Sequence, residues 1–260
     1  MADLLSVSLI QSSLKWGNVE GNLNHFSSLL ADFNEKTDLV ILPEMFTSGF
    51  LMNEKERIVP YEVTTLNWMQ NQASKLQAVI VGSIIVEEKG QYFNRLYVVN
   101  QSGVICSYDK RHLFRMGEEN KHFSAGKERT VFKIGNWRIC PLVCYDLRFP
   151  VWSRNRNDYD LLIYVANWPS ARREVWSTLL KARAIENQTF VAGVNRIGKD
   201  ELNLMYEGDT CLINAKGKLV AKCEDNKSQI ITTELNLEDL MDFRNKFPVL
   251  LDADSFRIEN

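Results

Sequence analysis

The chain has 260 residues, 45% hydrophobic and 25% charged, which excludes a disordered polypeptide and leaves enough apolar surface for a substantial core. Its 31 Lys and Arg nearly balance 33 Asp and Glu, so net charge gives no reason to expect a nucleic acid as partner. No basic region precedes a long apolar core at the N-terminus and no apolar run reaches the ~18 to 20 residues that span a bilayer, so a cytoplasmic protein without a membrane partner is expected.

Leu5, Val7 and Leu9 alternate with small or polar residues and predict a first strand. Leu23, Phe26, Leu30 and Phe33 then step by three and four, the spacing of one helix face. Leu39-Val40-Ile41-Leu42 reads as a buried strand that leads through Pro43 to Glu44. A helix is expected from about Val63 to Leu76, a strand over 78–86, a turn at Lys89-Gly90 and a strand from Leu96 to Val99. Gln101-Ser102-Gly103 turns the chain into Val104-Ile105-Cys106-Ser107-Tyr108, which leads through Asp109 to Lys110. After a polar loop with Gly117 and Gly126, strands over 130–134 and 137–143 flank the Gly135-Asn136 turn, and the second of them delivers Cys144. Beyond it come a short helix near 148–155, the strand Leu161-Leu162-Ile163-Tyr164-Val165, a helix carrying Trp176, Leu179, Leu180 and Ile185, and a strand from Phe190 to Val194. Ala215-Lys216-Gly217-Lys218 is a hairpin turn between strands, and another strand covers 229–235.

Strands alternating with helices, joined in places by hairpins, predict an α/β fold with a mixed sheet. No linker or internal repeat divides the sequence, so a single domain over 1–260 is expected, with a C-terminal arm from about Glu238. The apolar residues of Phe247-Pro248-Val249-Leu250-Leu251 in that arm need a surface to cover them.

Three apolar runs thus end in ionisable residues. If those strands share a sheet and a direction, the carboxylate of Glu44, the ammonium of Lys110 and the thiol of Cys144 converge on one edge. The five cysteines, an odd number scattered through apolar segments, read as reduced thiols, and Cys140 and Cys144 lack the second ligand pair of a zinc site. Cys144 differs from the others by its position, and a thiol becomes a good nucleophile when a base takes its proton or a cation lowers its pKa. Of His25, His112 and His122 only His112 is near a strand end, where it reads as a hydrogen-bonding structural residue. Glu44 is the better-placed base.

Leu42-Pro43-Glu44-Met45-Phe46, Tyr108-Asp109-Lys110-Arg111-His112-Leu113-Phe114 and Cys144-Tyr145-Asp146-Leu147-Arg148-Phe149-Pro150 resemble, in order and separation, the three signature segments of the nitrilase superfamily of carbon–nitrogen hydrolases. Lys181-Ala182-Arg183-Ala184-Ile185-Glu186-Asn187-Gln188 is similar to that family's helix after the active-site strand. The resemblance implies a four-layer αββα sandwich with mixed sheets and a triad of Glu44, Lys110 and Cys144. It implies a second glutamate in the loop after the lysine, where Glu118 and Glu119 compete; counting back from Ser124-Ala125-Gly126, which has Ala125 for the family's proline, favours Glu119. Lys110 and the backbone N–H of Tyr145 are implied as oxyanion donors, with no metal or organic cofactor.

Within the superfamily, the segments around Glu44 and from Ala182 to Gln188 look most like the omega-amidase branch, whose members hydrolyse the terminal amide of 2-oxo acids such as 2-oxoglutaramate and 2-oxosuccinamate. Such a substrate carries a carboxylate at its far end. Arg148, Arg172 and Arg173 are candidates to grip it through paired hydrogen bonds, and Phe50, Tyr145 and Trp168 are candidate apolar walls. A nitrilase, carbamoylase or aliphatic amidase would use the same triad, and a non-catalytic binding protein would keep only the fold. The resemblance also implies a homodimer, for which Phe149, Val151 and Trp152 in 148–156 are candidate contacts.

Overall fold

Residues 3–259 are described in a computed structural model, and period-two alternation explains how its strands stack into layers. In β1 (Leu4–Gln11), Leu5, Val7 and Leu9 enter one apolar cluster while Ile10 enters another. After α1 (Val19–Ala31), β2 (Leu39–Ile41) does the same, Leu39 and Ile41 facing inward and Val40 outward. Next come α2 (Glu62–Leu76), β3 (Val79–Glu88), β4 (Gln91–Asn100), β5 (Gly103–Asp109) and the single turn α3 (Glu119–His122). The second half runs β6 (Phe132–Ile134), β7 (Trp137–Val143), α4 (Pro150–Ser153), β8 (Leu161–Ala166), α5 (Arg173–Glu186) and β9 (Phe190–Asn195). It ends with β10 (Ile197–Lys199), β11 (Met205–Glu207), β12 (Cys211–Ile213), β13 (Leu219–Lys222), β14 (Gln229–Asn236) and α6 (Leu237–Lys246).

These strands form two six-stranded sheets, ordered β14-β1-β2-β3-β4-β5 and β13-β12-β9-β8-β7-β6, with β10 and β11 as a separate hairpin. Each sheet has a parallel centre, β1-β2-β3 in one and β7-β8-β9 in the other, flanked by antiparallel strands. Central parallel strands are covered on both faces, and β8 is accordingly buried at every residue. Inner residues of both sheets share one core, which also takes in Trp176, Leu180 and Ala184 of α5. Leu23, Phe26 and Leu30 of α1 and Met69 and Ala73 of α2 cover the outer face of the first sheet. The result is the four-layer αββα sandwich with mixed sheets. Among the described residues no helix is long and apolar enough to cross a membrane.

Several boundaries differ from the sequence expectation, each for a local reason. α1 stops before Phe33, which is half-buried beyond the helix. β4 begins at Gln91 because a long hairpin pairs Glu88 with Gln91 and Ile80 with Val99, and the polar Gln91, Asn94 and Arg95 hide this from an apolar-run reading. The single helix expected over 148–155 is a 3₁₀ turn, Cys144–Arg148, followed by α4, which restarts at Pro150. A residue before proline is pushed away from the helical region, so Phe149 interrupts the two. The hairpin β10–β11 was not expected, its strands being three residues each. In the C-terminal arm Leu251 is exposed while Ile258 packs on the core.

Candidate active site

Glu44 follows β2, where Met45 N–H donates to Ser83 Oγ at 2.9 Å and Met45 takes a φ of 46°. Lys110 follows β5, its N–H bonded to Asn94 O at 3.0 Å and its carbonyl accepting Gly126 N–H at 2.9 Å. A Cβ at residue 126 would stand 2.0 Å from the Asp109 carbonyl oxygen, so only glycine lets the loop close against the lysine strand. Cys144 follows β7 with a φ of 43°, a strained conformation for a non-glycine residue at the sharp turn from strand to 3₁₀ helix. Glu44 and Lys110 come from parallel-running strands of the first sheet, but Cys144 comes from the second. The expectation of one shared sheet edge is therefore corrected. The groups meet because both sheets carry these strand ends to one side of the sandwich.

Lys110 Nζ lies 2.9 Å from Glu44 Oε1, 2.9 Å from Glu119 Oε2 and 3.0 Å from Glu119 Oε1, and none of the three side chains is exposed. Burial alone would lower the lysine pKa, but Glu119 and Glu44 outweigh it and hold the ammonium above its ordinary value. Burial raises the Glu119 carboxyl, opposed by Lys110 and reinforced by Glu44. The Cys144 thiol is pushed well above its ordinary value, first by burial and then by Glu44, with Lys110 opposing. It therefore rests as a neutral thiol that needs a base at the moment of attack. Glu118 is exposed and paired with Lys121, so Glu119 is the loop glutamate beside the lysine.

Two asparagines complete the cluster. Asn94 Nδ2 donates to Glu44 Oε1 at 2.8 Å, and the backbone N–H of Asn167 donates to Glu44 Oε2 at 2.7 Å. Asn167 Nδ2 also donates to the Glu44 backbone carbonyl at 2.8 Å, and the Asn167 backbone carbonyl lies 3.9 Å from Cys144 Sγ. Neither was singled out from sequence. Asn167 carried a usable signal, because it follows the apolar run of β8 just as Cys144 follows that of β7; Asn94, inside a strand, carried none.

Cys144 and Lys110 open into a cavity of about 160 Å³. Phe50, Phe114, Trp168 and Tyr145 line it, together with Trp16, Met52 and the hairpin residues Leu204 and Tyr206. Tyr145 is the second residue of the 3₁₀ turn, where a backbone N–H has no intrahelical acceptor. Arg148 and Arg172 both line the cavity, stacked on the rings of Trp168 and Phe114 at 5.2 Å each, and neither has a carboxylate within ion-pair distance among the described residues. Arg173 is a different case. Its guanidinium bonds Asp209 at 2.9 and 2.8 Å, Asp225 at 2.7 Å, and Glu207, outside the cavity lining. Its place among the three candidate clamps is corrected on that ground. His112 donates its N–H to Asp146 and stacks on Phe149 at 3.7 Å, a structural position like the one expected.

This architecture defines a carbon–nitrogen hydrolase. The chain belongs to the carbon–nitrogen hydrolase family, whose model matches residues 6–245. It is 46% identical over 252 residues to the omega-amidase YafV of Yersinia enterocolitica, covering 97% of this chain and 98% of that one. It is 30% identical over 252 residues to the 2-oxoglutaramate amidase of Bacillus subtilis, covering 95% and 96% of the two chains. The crystal structure of XC1258 from Xanthomonas campestris, a CN-hydrolase with an arsenic adduct in its active site, superimposes with a TM-score of 0.95 at 43% identity, covering 98% of this chain and 99% of that one.

Proposed function

We propose that the protein hydrolyses the terminal amide of a 2-oxo acid, 2-oxoglutaramate or 2-oxosuccinamate, to the 2-oxo dicarboxylate and ammonia. The observation that carries this reading is the pair of guanidiniums, Arg148 and Arg172, in the same cavity as Cys144 and, among the described residues, without a carboxylate partner. A cation stacked on an aromatic face and left unpaired suits a carboxylate brought by the substrate. The likeness to an omega-amidase and a 2-oxoglutaramate amidase supports the same substrate class.

In this reading Glu44 takes the thiol proton as Cys144 attacks the amide carbon, and the tetrahedral oxyanion is held by Lys110 and the Tyr145 N–H. Donors aimed in advance at such a charge contribute about 3 to 4 kcal/mol each. Glu44 returns the proton to the leaving nitrogen, ammonia departs, and Glu44 then deprotonates the water that cleaves the thioester. Glu119 keeps the lysine charged and aimed. Phe50 and Trp168 form apolar walls. The chain acts as one domain, in the cytoplasm, and as a homodimer; the exposure of Val151 (56%) and Ile185 (51%) on the helices after Cys144 supports the last point. Sedimentation giving only a 30.0 kDa species would remove the dimer.

Ammonia release from 2-oxoglutaramate, 2-oxosuccinamate, glutamine, a simple aliphatic amide and a nitrile tests the substrate class. Release confined to the two 2-oxo acid amides supports it; preference for the nitrile or the simple amide overturns it. Arg148→Ala and Arg172→Ala each test the clamp. Loss of a charge-assisted hydrogen bond of about 1.5 to 3 kcal/mol predicts a KM for 2-oxoglutaramate at least about tenfold higher, with kcat far less affected. An unchanged KM in both variants discards the clamp.

A further inference from the structure

Asp146 is fully buried, and the chemistry just described does not use it. Its carboxylate is saturated by four donors. Oδ2 accepts the Val143 N–H at 3.0 Å and the Tyr108 hydroxyl at 2.7 Å. Oδ1 accepts the His112 N–H at 3.0 Å and meets His112 Nδ1 at 2.7 Å. Val143 directly precedes the nucleophile, whereas Tyr108 and His112 stand two residues before and two after the lysine. The Tyr108 oxygen in turn accepts the Trp152 indole N–H at 3.0 Å and the Arg111 N–H at 3.2 Å.

Cys144 and Lys110 belong to different sheets, and the strained turn at Cys144 has to be held by something outside itself. A single carboxylate bonded on both sides of that gap ties the backbone before Cys144 to the residues flanking Lys110. We infer that Asp146 is a positioning residue that sets the distance between the nucleophile's turn and the lysine's strand, so that the oxyanion formed at Cys144 lands beside Lys110. This rests on the reading of Cys144 as nucleophile and Lys110 as oxyanion partner.

A brace that merely stabilised the turn would also be buried and saturated, so the test separates geometry from stability. Acyl transfer passes through an oxyanion, whereas alkylation of the thiol by iodoacetamide displaces iodide and forms none. Asp146→Asn meets at least one of the four donors with an amide N–H in place of an acceptor oxygen. Misplacement of a reacting group on the ångström scale predicts a kcat on 2-oxoglutaramate lower by about a hundredfold. KM and the rate of Cys144 alkylation, read on the Cys144 peptide by mass spectrometry, are expected to stay within about threefold of wild type. Tyr108→Phe removes the hydroxyl donated from the lysine strand, together with the acceptor of the Trp152 and Arg111 N–H groups, but leaves the carboxylate in place and is the milder variant, with a loss of about tenfold of the same kind. It decides the matter should Asp146→Asn fail to fold. A kcat within about threefold of wild type, or alkylation falling in step with kcat, overturns the inference. Wild-type protein that releases no ammonia removes the underlying reading instead, a result visible before any variant is made.

Discussion

Cys144→Ala is expected to yield a folded protein that releases no measurable ammonia from 2-oxoglutaramate. Loss of a covalent nucleophile from a unit of cooperating groups costs on the order of 10⁶ in kcat, because the remaining oxyanion donors have no intermediate to stabilise. The fold has little reason to follow. The side chain borders a cavity, loses one sulfur, and makes a long 3.9 Å contact with the Asn167 backbone carbonyl. Removing it leaves the neighbouring ion cluster intact, since Lys110 is bonded to Glu44 and Glu119 and not to the thiol. A stability change within about 1 kcal/mol by urea unfolding, alongside abolished turnover, is the expected pair of results. Appreciable turnover in a variant free of wild-type contamination defeats the assignment of the nucleophile. The other cysteines make poor substitutes: burial raises Cys106 to about 11, and burial first, with smaller contributions from nearby groups, raises Cys140, Cys211 and Cys223 to about 12.

What was legible in the sequence was local. Glu44, Lys110 and Cys144 each follow an apolar run that announces a strand; residues 39–42 and 139–143 are buried, whereas Val104 and Ile105 before Lys110 are exposed. The meeting of those ends is a property of pairing across distant segments, so the sequence reading supposed one sheet where two are used. The choice among arginines was hidden for a similar reason. Arg172 ends a 3₁₀ turn and caps α5 with a non-helical backbone, whereas Arg173 is the first residue of the helix, so the chain bends between them and one faces the cavity and the other an acidic cluster. Asn94 shows a third kind of limit. A polar residue inside a strand signals an exposed face until its partners are known, and here those partners are the two buried glutamates.

Glu44→Gln carries the second largest expected effect, a loss of about 10² to 10⁴ in kcat, because the isostere keeps the shape and removes the base from both acylation and thioester hydrolysis. The remaining contacts allow the variant to fold. With its carbonyl toward Lys110 and Asn94, glutamine still accepts both hydrogen bonds made to Oε1. Its amide nitrogen then meets the Asn167 N–H that now donates to Oε2, a donor facing a donor, at a cost of about 1 to 3 kcal/mol. Lys110 keeps Glu119 as its second carboxylate. The thiol should respond in the opposite direction to turnover. Burial is the first cause of its raised pKa and persists, but the Glu44 charge is the second and disappears, while the opposing Lys110 charge remains. The pH at which Cys144 becomes alkylated by iodoacetamide is therefore expected to move down in Glu44→Gln even as amide hydrolysis is lost. A variant with a more readily formed thiolate and almost no turnover would show that the site needs proton transfer by Glu44 and not thiolate formation alone; wild-type kcat in the same variant would assign the base to another group.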